Sequence, residues 1–115
     1  MPVAPMRLSP SYAVAPQIGP EDVAEIANQG FRAIVNNRPD FEGGPAQPTS
    51  AAVEAAAKAA GLEYYFFPVG SGIPIGPKEV AEFAERMRAL PQPVFVYCRT
   101  GTRSSNLLRA SGLVG

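Results

Sequence analysis

The chain has 115 residues, 46% apolar and 17% charged, with ten basic and ten acidic residues cancelling to a formal net charge of zero. That is enough chain to bury a core, so residues 1–115 are expected to form one domain. Charge balance argues against a nucleic-acid or anionic-membrane surface, and no apolar run approaches the ~20 residues that cross a bilayer.

Histidine is absent and cysteine occurs once. This excludes Ser-His-Asp and Cys-His catalysis, an intramolecular disulfide and a zinc centre, so neither metal nor cofactor is expected. An unpaired thiol, with no signal-peptide pattern in Met1–Arg7, points to a reducing, cytoplasmic setting.

Ser11–Ala15 is the first strand candidate. Gly19-Pro20-Glu21-Asp22 then opens a helix, with proline and acids in its first turn. Val23, Ile26 and Ala27 form its apolar face, and Gly30 is a natural stop. Phe31–Asn36 reads as a strand, and 37–47 as a loop rich in Pro, Gly and Asp. Thr49 or Ser50 caps an alanine-rich helix that runs to Ala60 and ends at Gly61. Glu54 and Lys58 form an i,i+4 pair on it. Glu63–Val69 is the next strand, its Tyr64–Phe67 run expected in the core. A loop, Gly70–Ile75, precedes a helix opened by Pro77, with Val80, Phe83, Ala84, Met87 and Leu90 on one face.

The last strand, Val94–Tyr97, runs into Cys98-Arg99-Thr100-Gly101-Thr102-Arg103, and a short helix is expected from Ser104. Alternating strands and helices imply an α/β fold: a mostly parallel sheet of four or five strands with helices on both faces. Ligands of such sheets sit beyond the carboxyl ends of the strands. Three loops should therefore meet: 36–40, 70–72 and 98–103.

A strand, a tight loop and a helix N-terminus make a cradle of backbone N–H groups, which favours a thiolate at its base. Cys98 is thus the expected nucleophile. Arg103 is the expected anion clamp, because a guanidinium fork matches sulfonate or phosphate oxygens. Arg99 is expected to point outward, where it either recruits an anionic donor or is simply solvated. Gly101 lets the loop turn. Thr100, Thr102 and Ser104 can hydrogen-bond the thiolate or cap the helix, with capping expected for Ser104. Arg38 and Asp40 border the site, and Asn36 and Asn37 are expected turn formers.

The segment 93–105, with Asn36-Asn37-Arg38-Pro39 and Phe67-Pro68-Val69, resembles the bacterial beta-lactamase hydrolase-like, phosphatase-like domain family. Its members are also described as sulfur transferases and occur fused to, or beside, a persulfide dioxygenase. The resemblance spans about residues 8–108. It implies a cysteine-phosphatase-like fold similar to that of the dual-specificity phosphatases, with a cysteine loop similar to that of single-domain rhodaneses. It also implies a persulfide dioxygenase as a partner. Cysteine phosphatases place five residues between the cysteine and the arginine, whereas this chain places four. They also carry histidine before the cysteine, where this chain has Tyr97. Their aspartate general acid follows the strand matching Tyr64–Val69, where this chain has Gly70-Ser71-Gly72.

The expected function is therefore rhodanese-type sulfur transfer through a Cys98 persulfide, from a small anionic sulfur donor to a thiophile. The alternative is a tyrosine- or dual-specificity-type phosphatase acting on a phosphorylated substrate through a cysteinyl-phosphate, with Asp40 as acid. A third reading is a non-catalytic module that binds an anion or a persulfide.

Overall fold

A computed structural model describes residues 3–70, 73 and 75–115. Its five strands are β1 (Met6–Arg7), β2 (Tyr12–Ala15), β3 (Ala33–Asn36), β4 (Glu63–Phe66) and β5 (Val94–Tyr97). Four helices accompany them: α1 (Val23–Asn28), α2 (Ser50–Ala59), α3 (Pro77–Ala89) and α4 (Thr102–Ala110). A short 3-10 turn, Pro20–Asp22, leads into α1. The sheet order is β1-β2-β5-β3-β4. β2, β5, β3 and β4 run parallel, and only β1 is antiparallel, folded back on β2. The α/β architecture with helices on both faces is as expected. The β1 hairpin is an addition: two exposed residues carry no periodicity to read.

Side-chain alternation sorts the strands onto two cores. Ala13, Ala15, Ile34, Phe95 and Tyr97 face one side and pack with Val23 and Ile26 of α1 and Val53 and Ala57 of α2. Tyr12, Val14, Ala33, Val35, Val94 and Val96 face the other and pack with Phe83 and Met87 of α3 and Leu107 and Leu108 of α4. β3 and β5 lie inside the sheet and are buried at every position, which explains their unbroken apolar runs. β4 is an edge strand and is not fully buried: Tyr64 and Tyr65 are half-buried and Phe66 is exposed. The expectation of a core Tyr64–Phe67 run holds for Tyr64, which packs on one core, and for Tyr65 and Phe67, which pack on the other, though all three are only half-buried at the open edge; it is corrected for Phe66, which is exposed.

The helix punctuation follows local chemistry. The Thr49 side chain accepts from the Ala52 N–H at the start of α2. Gly61 lies at φ 81° just past its end, a left-handed stop that glycine adopts without a Cβ clash. Glu54 and Lys58 pair at 3.1 Å.

At the carboxyl ends of the parallel strands, backbone bonds continue beyond the strand limits. Cys98 N–H reaches Ala15 O at 3.4 Å, and Asn37 N–H reaches Tyr97 O at 2.8 Å. Val69 N–H reaches Asn37 O at 2.8 Å. β4 stops at Phe66 rather than Val69 because the pairing register changes there: Phe67 N–H bonds Asn36 O but Val69 N–H bonds Asn37 O, one residue on instead of two, so Val69 remains tied to the sheet.

Truncation of Met87, which has no exposed surface, is expected to cost about 2–5 kcal/mol in a urea titration of Met87→Ala. Lys58→Ala, at an exposed ion pair, is expected to cost at most about 0.5 kcal/mol.

Candidate active site around Cys98

Cys98 follows β5 and continues the alternation of Val94 and Val96, on the side covered by α4. It has no exposed surface. The Gly101 N–H donates to its Sγ at 3.1 Å. Burial opposes ionisation of this thiol. Hydrogen bonds from the Ser104 N–H and hydroxyl, and from the N–H groups of Thr100 and Gly101, outweigh it, so the thiol pKa lies below its ordinary value.

The loop that achieves this is short. Gly101 takes φ 93° and is the residue before α4. A Cβ there would meet Ala15 backbone at an ordinary 3.6 Å, so the left-handed conformation, and not lack of space, calls for glycine. α4 begins at Thr102, two residues earlier than expected. Its first turn therefore carries Thr102, Arg103 and Ser104, and all three belong to the cradle's helical wall. Ser104 is not the cap: it is fully buried, and its hydroxyl donates to Asn37 Oδ1 at 2.9 Å. Asn37 Nδ2 donates to Phe67 O at 2.8 Å, which turns Oδ1 toward Ser104. The hydroxyl has one proton to give, so Asn37 and a thiolate compete for it. Thr100 and Thr102 are exposed, with their hydroxyls 3.2 Å apart.

Arg103 is held end-on by Glu42. Its Nη1 donates to Glu42 Oε2 at 2.7 Å and to Val69 O at 2.6 Å, and its Nη2 donates to Glu42 Oε1 at 2.7 Å. Three of its five N–H groups are thereby used; Nε–H and one Nη2 hydrogen have no partner among the described residues and form a side-on pair. The Glu42 hydrogen bond raises the Arg103 pKa against a burial effect, and attraction to Cys98 adds to it. Glu42 also accepts from Arg38 Nε at 2.9 Å. Hydrogen bonds from Arg103, set against burial, and then from Arg38 hold its carboxyl below the ordinary carboxylate range. The carboxylate is ionised at neutral pH. Arg38 is buried and also donates to Gln17 Oε1 at 3.2 Å.

Glu42 is presented by a turn in which its N–H reaches Pro39 O at 3.4 Å. Phe41, within this turn, takes φ 63° while its ring is 64% exposed. A bulky residue in that region costs on the order of 1–2 kcal/mol, and such strain gathers at functional sites. Glu42, Gly70, Arg99, Thr100 and Arg103, three of them from the loop and first turn that follow Cys98, line an open depression of about 440 Å³. Arg99 is exposed, as expected; its carbonyl accepts from the Gln17 N–H at 3.3 Å, and its side chain has no hydrogen bond or ion pair among the described residues.

Two expectations change. Asp40 does not face the cysteine loop: its Oδ1 accepts from the Ser50 N–H at 2.7 Å, at the N-terminus of α2. Asn37 is a buried connector and not a turn former, whereas Asn36, also buried, does form the expected turn by bonding the backbone two residues on. Asn36 Nδ2 donates to the Tyr64 hydroxyl at 3.2 Å, and its Oδ1 accepts from Arg38 N–H at 2.8 Å. Glu42 and Gln17 join the site without having been singled out from sequence. Ser71 and Gly72 lie outside the described residues.

Residues 6–113 match the family described as the beta-lactamase hydrolase-like protein, phosphatase-like domain. The chain belongs to this family. It is 37% identical over 102 residues to a beta-lactamase hydrolase-like protein of Agrobacterium fabrum, and 35% identical to one of Xylella fastidiosa. Each match covers 89% of this chain but 23% of the relative, so the chain spans about a quarter of the length of these curated relatives. Among solved structures, a provisionally assigned phosphatase from Neisseria meningitidis superposes with a TM-score of 0.77 at 33% identity, covering 89% of this chain and 71% of that one. A second, from Shewanella putrefaciens, gives 0.80 at 19% identity over 96% and 71%, and Tk-PTP in its active form gives 0.66 at 18% over 96% and 76%. The last two establish fold alone. The fold is that of the cysteine phosphatases.

Ser104→Ala is expected to raise the Cys98 pKa, read from the ultraviolet absorbance of the thiolate against pH, whereas Asp40→Asn leaves that titration unchanged and costs about 1 kcal/mol of stability. The thiol's folded pKa is the lower one, so its contribution to stability is complete above the ordinary thiol value of about 8.5 and is lost as pH falls through the folded pKa. Wild type should accordingly gain stability relative to Cys98→Ser as pH rises through that window.

Proposed function

We propose that this chain is a sulfurtransferase whose carrier is Cys98. The Cys98 thiolate attacks the outer sulfur of thiosulfate or of a persulfide. The donor's S–S bond breaks, and sulfite or a thiolate departs with its electron pair. The enzyme keeps a Cys98 persulfide in the N–H cradle, and Arg103's side-on N–H pair faces the donor's oxygens or the persulfide charge. A thiophile such as cyanide or a thiol then takes the outer sulfur and restores the thiolate.

The observation that carries this reading is the state of Glu42. It is the carboxylate lining the depression, and two arginines hold it ionised, so it has no proton to give a leaving group. Asp40 is engaged by α2, and Gly70-Ser71-Gly72 contains no acid. Sulfite and persulfide-derived thiolates leave without protonation; an alkoxide does not. The four-residue spacing from Cys98 to Arg103 also favours a ligand smaller than a phosphoryl group.

Phosphoryl transfer is the second reading. The family description and the Neisseria relative support it more directly than they support sulfur transfer. It would run through a cysteinyl-phosphate on the same Cys98 and would suit leaving groups that need no acid, such as nitrophenolate.

Intact mass of the reduced protein after incubation with thiosulfate or glutathione persulfide decides between them. One added sulfur on wild type, absent in Cys98→Ser and removed by cyanide, is the expected result. No added sulfur, with nitrophenyl phosphate hydrolysed by wild type and not by Cys98→Ser, would establish the phosphatase instead. Arg103→Lys loses the planar N–H pair and is expected to lower turnover on the order of 100-fold in whichever reaction is found.

A further inference from the structure

A second depression, of about 370 Å³, adjoins the first, and the two share one side chain, Arg103. The first is walled by Glu42, Gly70, Arg99 and Thr100. The second lies between α3, α4 and the segment after β4, and is predominantly apolar: Val69, Ile75, Val80, Leu107 and Ala110, with Asn106 at its edge. A guanidinium at the boundary of a charged basin and an apolar groove suits a ligand with an anionic head and an apolar body.

The charges around the head group limit its valence. Glu42 takes the end-on face of Arg103 and part of Arg38, so two cations already share one carboxylate. With the Cys98 thiolate counted, Arg38, Arg103, Glu42 and Cys98 sum to zero. Only the exposed Arg99 remains to compensate a bound anion. One added negative charge is matched by one arginine, whereas a dianion leaves one charge uncompensated.

We infer that the site takes an organic monoanion whose apolar substituent lies along Val69, Ile75, Val80, Leu107 and Ala110, with its head on the side-on N–H pair of Arg103. Resting on the sulfur-transfer reading, this names the donor class: thiosulfonates and organic persulfides with an apolar arm, ahead of inorganic thiosulfate. For a thiosulfonate, the Cys98 thiolate takes the outer sulfur, the S–S bond breaks, and a sulfinate leaves with the electron pair. No other reactant is required.

The test is a binding measurement on the full chain that does not depend on turnover. Amide chemical-shift titrations would compare toluenesulfonate, methanesulfonate and sulfate. Toluenesulfonate is expected to bind about tenfold (about 1.4 kcal/mol) tighter than methanesulfonate, with the largest shifts at Leu107 and Ala110. Sulfate should bind no tighter than methanesulfonate. In the double variant Val80→Thr/Ala110→Gln, a neutral polar change on the groove wall, the aryl advantage should vanish while methanesulfonate affinity stays the same. Equal affinities for the two sulfonates, tighter binding of sulfate, or an aryl advantage that survives in the double variant would each overturn the inference. Failure of the sulfur-transfer reading is seen separately, as a missing sulfur in the intact-mass experiment with the aryl preference intact.

Discussion

The convergence of backbone N–H groups on the sulfur of Cys98 is the constraint around which this molecule is arranged. A buried thiol ordinarily resists ionisation. Here the Gly101 N–H donates to the sulfur at 3.1 Å, and hydrogen bonding from the loop and the first turn of α4 outweighs the burial, so the thiol pKa is lowered. That requires β5 to end at Tyr97, Gly101 to take a left-handed conformation and α4 to begin at Thr102. A helix starting two residues later would put the first-turn N–H groups out of reach. The buried Val94–Tyr97 strand and the Leu107 and Leu108 contacts of α4 fix the two sides of this turn, so the apolar core serves the site by holding its geometry rigid.

The second layer of the site is electrostatic. Arg103 is not a free cation waiting for an anion; Glu42 and the Val69 carbonyl fix its orientation, and one edge of the guanidinium remains. Arg38 fixes Glu42 in turn. The chain of contacts from Gln17 through Arg38 and Glu42 to Arg103 links the loops after β2, β3 and β4 to the first turn of α4. Fixing a long side chain before a ligand arrives removes much of the ordering cost that binding would otherwise carry. The same arrangement leaves an ionised carboxylate where an acid catalyst would be useful. The site is thereby suited to reactions whose leaving groups depart as anions.

The family and the local chemistry bear on different questions. Membership in the beta-lactamase hydrolase-like, phosphatase-like group establishes a cysteine-phosphatase-like fold around a single loop cysteine. Fold does not choose the reaction. That choice rests on the spacing from Cys98 to Arg103, on the charge state of Glu42 and on where Asp40 is engaged.

The α/β class, the parallel sheet and the cysteine loop were legible in the chain because each rests on short-range rules: period-two apolar runs in β3 and β5, a glycine or proline at each helix limit, and a cysteine and arginine separated by a turn. Edge strands were read less well. β1 has two exposed residues, and the aromatic run of β4 looks like core although one side of it meets solvent. The partners of the site were legible only in part. Arg38 and Arg103 stood out by proximity to motifs, but Glu42 sits in a Pro- and Gly-rich loop with no periodicity, and its contact with Arg103 spans 61 positions. Asp40 and Glu42 are two residues apart, and sequence offers no reason to send one to α2 and the other to Arg103. The tertiary structure decides that through the Pro39–Glu42 turn and the left-handed Phe41, because a contact between distant loops depends on where the sheet places their ends. By itself the chain determined that its one thiol would sit where the last strand turns into a helix N-terminus. The folded structure alone decided which carboxylate neighbours its arginine, since local backbone chemistry acts over a few residues and charge pairing acts across space.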